Sequence, residues 1–199
     1  MVFDFFRKPK NESLTAEEMA TRLLKEVVFD FSRYSSDAES LLRGNPEMQV
    51  TGWAKAGFKK DALAFELFCY TLVCVERLVI NAANEQGKVE IGRKITEYLW
   101  QKLGEQVADT PWKFTDLKIL IKALQERREV YGEAFFEKDS SNILTYAFLG
   151  FALDGKPRRS ADSIPPMDFF DVMPFTSYLG YRFKSLKTGC DGLVKYTIL

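Results

Sequence analysis

Apolar residues recur at helical spacing over most of the chain, and the polar positions between them supply start and stop signals. "LTAEEM" reads as a capping box: Thr15 caps, Glu18 reaches back to it, and Leu14 can staple onto Met19. From there Met19, Leu23, Leu24, Val27, Phe31, Ala38, Leu41 and Leu42 follow close to a 3.6-residue period. "RGNP" ends this first helix, and Ser35–Ser36 is the expected place for a kink. A glycine-rich connector, "PEMQVTGWAKAGF", leads to a second helix from about Lys60 to Gln86, stopped at Gly87.

A third helix, about Val89 to Ala108, carries Ile91, Ile95, Tyr98, Leu99, Leu103 and Val107 on one face. Its opposite face carries Glu90, Lys94, Glu97, Gln101 and Glu105. "DTPWKF" predicts a fourth, with Thr110 as cap and Pro111 in the first helical position, running through Leu117, Leu120, Leu124 and Tyr131 to about Glu137. A fifth, "SSNILTYAFLGFALDG", is apolar almost all round, which predicts burial on several sides and a stop at Gly155. The pattern then changes. "KPRRSADSIPP" has no apolar period and reads as an exposed linker, and "MDFFDVMPF" as a short apolar patch between prolines. Leu179, Tyr181 and Phe183, then Val194, Tyr196 and Ile198, alternate with other residues around "KTGCDG", which predicts a hairpin.

The expected fold is therefore mainly α: a single-domain helical bundle of about five helices with a small C-terminal β-hairpin or irregular arm. Residues 1–14 form an N-terminal extension, 15–155 the bundle, and 156–199 a linker and hairpin packed on it. Length agrees, since 199 residues can remove roughly 70% of their unfolded surface from water.

The most apolar stretch, "AFELFCYTLVCVERLVINAA" over residues 64–83, has an uninterrupted apolar run of only nine residues, Leu67 to Val75, bounded by Glu66 and by Glu76 and Arg77. That is too short for a membrane span, which needs about 20 residues. Around this helix Glu66, Tyr70, Arg77, Asn81 and Asn84 fall near one line. The plain expectation is a central core helix exposing that narrow strip, with Glu66 and Arg77 in or near water. In the sharper alternative the strip, chiefly Glu66, Tyr70, Arg77 and Asn81, lines a pocket for an apolar anion or a histidine-free active site. Burial there would raise the Glu66 pKa and demand partners from another helix, and Arg77 would anchor the anion.

Histidine is absent from the whole sequence, which removes Ser-His-Asp and Cys-His nucleophilic sites, His-ligated zinc and His-containing di-iron bundles. No catalytic set, metal site or cofactor is expected. Glu126, Glu129, Glu133 and Glu137 share a helix face that could hold magnesium for a phosphohydrolase. They lie beside Arg127 and Arg128, though, and read better as a solvated ion-pair face. Gly52 and Gly57 stand at phosphate-loop spacing, but Phe58 and Lys59 follow instead of Lys-Ser/Thr.

Lys plus Arg and Asp plus Glu number 28 each, so there is no net field to gather nucleic acid. Three cysteines, at 69, 74 and 190, form neither a disulfide framework nor a CxxC pattern, and a reducing cytoplasm is the expected compartment. Cys69 and Cys74 read as core residues. Cys190, in the expected turn beside Gly189 and Asp191, would be the most reactive thiol. The N-terminal "MVFDFFRKPK" lacks the order of a secretory signal, and its phenylalanines are expected to pack on the bundle. What remains is a non-catalytic binding or regulatory protein, acting through a surface groove or homodimer interface. Phe169, Phe170 and Phe175 are candidate docking anchors for a protein partner or a second copy.

Overall fold

Thr15 does what its spacing predicts. Its hydroxyl accepts from the Glu18 amide at 3.2 Å, and the Glu18 carboxylate accepts from the Thr15 amide at 2.8 Å, which starts α1 at Ala16–Leu23. Those bonds hold the Glu18 carboxyl below the ordinary glutamate range. The computed structural model describes residues 13–43, 57–106, 110–112, 117–134, 140–158, 169–193 and 197–198. At 117, 140–142, 169–175, 189–193 and 197–198 it describes the backbone alone.

After α1 come α2 (Phe31–Arg43), α3 (Lys60–Glu85), α4 (Val89–Gln106), α5 (Leu117–Ala134), α6 (Ser140–Asp154) and α7 (Phe169–Leu193). Two short strands, β1 (Ser13–Leu14) and β2 (Thr197–Ile198), pair in parallel. The fold is mainly α, and the β element is minor. No helix among the described residues is long and apolar enough to cross a membrane.

Several boundaries are local chemistry. α3 closes in a Schellman motif: the Lys88 amide bonds to the Ala83 carbonyl at 2.8 Å and the Gly87 amide to Asn84 at 3.0 Å. Gly87 takes φ 68° there, a conformation open to glycine. Gly155, at φ 76°, ends α6 in the expected place.

Three expectations are corrected. The first helix does not run through to Leu42. It passes into a π-turn at Leu24–Val28, in which the Phe29 amide bonds to the Leu24 carbonyl, and it breaks at Phe29–Asp30, where the expectation was only a kink at Ser35–Ser36. The two serines sit inside α2 between buried Tyr34 and Ala38, whose packing holds the helix through them. Thr110–Trp112 form a bend, so Pro111 does not stand in the first helical position, and the described helix begins at Leu117. No hairpin forms at Leu179, Tyr181 and Phe183, which lie in α7 together with Pro174 and Cys190. Leu179 and Arg182, three apart, are buried while Tyr181 is 65% exposed, a helical pattern that also produces alternation over five residues. β2 pairs with β1 instead of folding back on its own neighbour. The connector with Gly52, and the segment 159–168, lie outside the described residues.

The chain divides into two compact units. One comprises Met1–Asp30, Thr71–Leu117 and Phe183–Leu199, the other Phe31–Tyr70 and Lys118–Arg182. In the first, α1 packs along α4, burying Met19, Leu23, Ile95, Leu99 and Leu103, and Lys102 reaches Glu17 at 3.0 Å. A Cβ added at Gly92 would stand 2.5 Å from the Ala83 Cβ, so glycine lets α4 approach α3 closely. The second unit holds an aromatic core of Tyr34, Phe68, Tyr131, Phe148 and Phe151. At Gly150 an added Cβ would lie 2.3 Å from the Lys156 carbonyl oxygen, where the chain leaving α6 folds back against that helix.

Candidate functional site

The second unit contains the polar chemistry. α3 places Glu66 in its interior at 1% exposure, against α5. Arg127, 6% exposed, donates from Nε to both carboxylate oxygens, at 2.9 Å and 3.2 Å. Tyr131, one turn further along α5, donates its hydroxyl to Glu66 Oε1. The Arg127 guanidinium stacks 4.1 Å from the centre of the Phe151 ring and 5.5 Å from that of Phe65, and Nη1 donates to the Ala123 carbonyl at 3.3 Å. Tyr70 meets Tyr131 and Phe148 edge to face, and its hydroxyl lies 3.5 Å from the Leu179 carbonyl.

Burial pushes the Glu66 carboxyl above its ordinary value, with the Arg127 charge and the Tyr131 hydrogen bond opposing that rise. Burial likewise pushes Tyr131 and Cys69 well up, and the negative charge of Glu66 adds to both. Cys69 and Cys74 are buried and outside any disulfide, and Cys69 is held in its neutral, unreactive form.

The same construction occurs a second time in this unit. Asp37 on α2 accepts from Arg182 Nη1 at 3.0 Å and from the Tyr178 hydroxyl, with Arg33 Nε at 3.7 Å. Arg182 is stacked 5.0 Å from the Tyr34 ring centre, and burial raises the Tyr178 pKa. In both clusters an arginine and a tyrosine four apart on one helix converge on a single carboxylate of another, with an aromatic ring behind the guanidinium. The planar guanidinium suits this, because it hydrogen-bonds in plane while stacking face-on. Asp37 keeps partial contact with water, whereas Glu66 has almost none.

Of the stripe residues, Glu66 and Tyr70 come together around Tyr131. Glu66 is not in or near water, because Arg127 and Tyr131 offset the desolvation of its charge. Arg77 is half-buried and Asn81 exposed, both on the later half of α3 in the other unit. Phe169, Phe170 and Phe175 fall on the backbone of α7, and their side chains lie outside the described part. Glu126, Glu129 and Glu133 are exposed on α5, and Glu137 lies outside the described residues. No group of three acidic, cysteine or histidine side chains able to hold a metal ion occurs among the described residues.

The residue that sequence reasoning misplaced is Arg127, read as part of a solvated face. Its signal was positional: it falls at a step of three or four between Leu124 and Tyr131, on the stripe that also buries Leu120 and Ala134. Asp37, Tyr178 and Arg182 carried no comparable signal. In comparisons with protein-family models, with curated proteins and with solved structures, nothing matches this chain.

Proposed function

We propose that this chain is a non-catalytic binding or regulatory helical protein that acts through a helix surface, as a surface groove or a homodimer interface. The observation that carries this reading is the internal commitment of Glu66: both of its oxygens accept from α5 side chains, so its charge serves helix packing. Apolar side chains meanwhile reach the surface at Ile119, 54% exposed, with Ile121 and Tyr181 also exposed. A cytoplasmic location belongs to the same reading, supported by the buried Cys69 and Cys74, which lie outside any disulfide. The alternative of an apolar-anion pocket or histidine-free active site on the α3 stripe draws less support, because Tyr70 is packed among aromatic rings and Asn81 faces water.

Light scattering coupled to size-exclusion chromatography, run across a concentration series of the full chain, tests the proposal together with a pull-down. Self-association or a captured partner, weakened by Ile119→Asp and left intact by Glu66→Gln, is the expected result. A strict monomer that captures no partner overturns it.

A further inference from the structure

Arg127 stands between two carboxylates of unlike surroundings. Inside, its Nε reaches Glu66 Oε2 at 2.9 Å; outside, its Nη1 lies 3.9 Å from Oε2 of Glu126, whose side chain is 47% exposed. One guanidinium thus spans the boundary between core and solvent, and both partners stay within reach without any change in the α5 backbone.

Among the described residues, few groups surround Glu66 and its partners Arg127 and Tyr131. α5 contributes Arg127, Tyr131 and the more distant Glu126; α3 contributes Cys69 and Tyr70; α6 contributes the uncharged Phe148 and Phe151; α7 reaches the cluster through the Leu179 carbonyl. Arg127 is the only cation among them, and Glu66 is the only group in this set whose charge balances it in the interior. With Glu66 ionised the buried cluster is neutral. Once Glu66 takes a proton from solvent, Arg127 is left as a buried charge facing a neutral acid, which strongly disfavours the inward position.

We propose that Arg127 is a proton-driven toggle, held inward by ionised Glu66 and released outward to Glu126 on the α5 surface when Glu66 is protonated. Release adds a positive charge to an exposed helix face that already carries Glu126, Arg128 and Glu129. It also removes a contact that fastens α5 to α3. Desolvation of Glu66 places the transition above the ordinary glutamate value of 4.5. The inference rests on the cluster's geometry and is independent of the binding reading above.

NMR of the isotope-labelled full chain tests it through the Arg127 side-chain resonances, assigned by their loss in Arg127→Lys. At neutral pH stacking on Phe151 should give them a large ring-current shift, which collapses toward the free-arginine value on acidification, with a midpoint above 4.5. In Glu66→Gln the shift should be collapsed at every pH. Glu126→Gln alters only an exposed residue and should keep the neutral-pH shift. Its midpoint should fall by about 0.2–0.7 pH unit, because the outward partner and the repulsion on Glu66 are both lost. An Arg127 shift that persists in Glu66→Gln, or a midpoint unmoved by Glu126→Gln, overturns the toggle.

Discussion

Arg127→Ala is the perturbation that most directly examines the buried cluster. It leaves Glu66 at 1% exposure with the Tyr131 hydroxyl and, among the described residues, no cation. An uncompensated carboxylate so deeply buried escapes its desolvation by binding a proton, and this sets the size of the effect. At pH 7, protonating a group whose unfolded value is 4.5 means climbing about 2.5 units at 1.36 kcal/mol each, or about 3.4 kcal/mol. Lost stacking on Phe151 and Phe65 adds about 0.5–2 kcal/mol. The total agrees with the ~3–5 kcal/mol typical of breaking a buried pair from one side.

The sign with pH follows from the same exchange. In the variant the native state holds a proton that the unfolded state has released above pH 4.5. Its stability therefore falls as pH rises from 4.5 toward the raised native value. Urea unfolding of Arg127→Ala and of Glu66→Gln/Arg127→Ala, at pH 5.5 and pH 7, isolates this contribution, since the double variant has no carboxyl to titrate. The deficit of the single variant relative to the double should grow by about 2 kcal/mol between the two pH values. A gap independent of pH would refute the reasoning, because Glu66 would then be stabilised as a carboxylate without Arg127.

Other outcomes follow from the packing. Gly92→Ala, which forces a Cβ to 2.5 Å from the Ala83 Cβ, should lower stability by about 1–3 kcal/mol in a thermal melt. Gly150→Ala meets the Lys156 carbonyl oxygen at 2.3 Å, an obstacle of backbone rather than side chain, and should cost more than Gly92→Ala in the same measurement. Thr15→Ala removes the acceptor for the Glu18 amide, and denaturant titration should record a loss of about 1 kcal/mol. Cys69 and Cys74 should resist iodoacetamide in the native state at pH 8 and label on unfolding, as read by peptide mass spectrometry. Native labelling of Cys69 would contradict its burial and raised pKa.

How much of this was legible in the sequence varies with the range of the interaction. The capping box at Thr15, the stops at Gly87 and Gly155, and the polar face of α4 were all readable, and each depends on residues within a few positions. Period two over Leu179, Tyr181 and Phe183 misled because five residues sample too little of a helix to tell it from a strand; the burial of Leu179 with Arg182 settled the matter. Glu66 was visible as a charge in an apolar helix, and its need for partners from another helix could be stated. Their identity could not.

By itself the sequence determined the helical class, most helix boundaries and the exclusion of histidine chemistry. Helix hydrogen bonds close within four or five residues, and caps and apolar stripes repeat on that same scale. Only the tertiary structure decided that Glu66 is buried, that Arg127 lies inward, and that Asp37 holds Tyr178 and Arg182. Those partners stand 61, 65, 141 and 145 residues apart along the chain. Desolvation of a charge, and the pairing that offsets it, depend on what surrounds the side chain in space, and no local pattern encodes those surroundings.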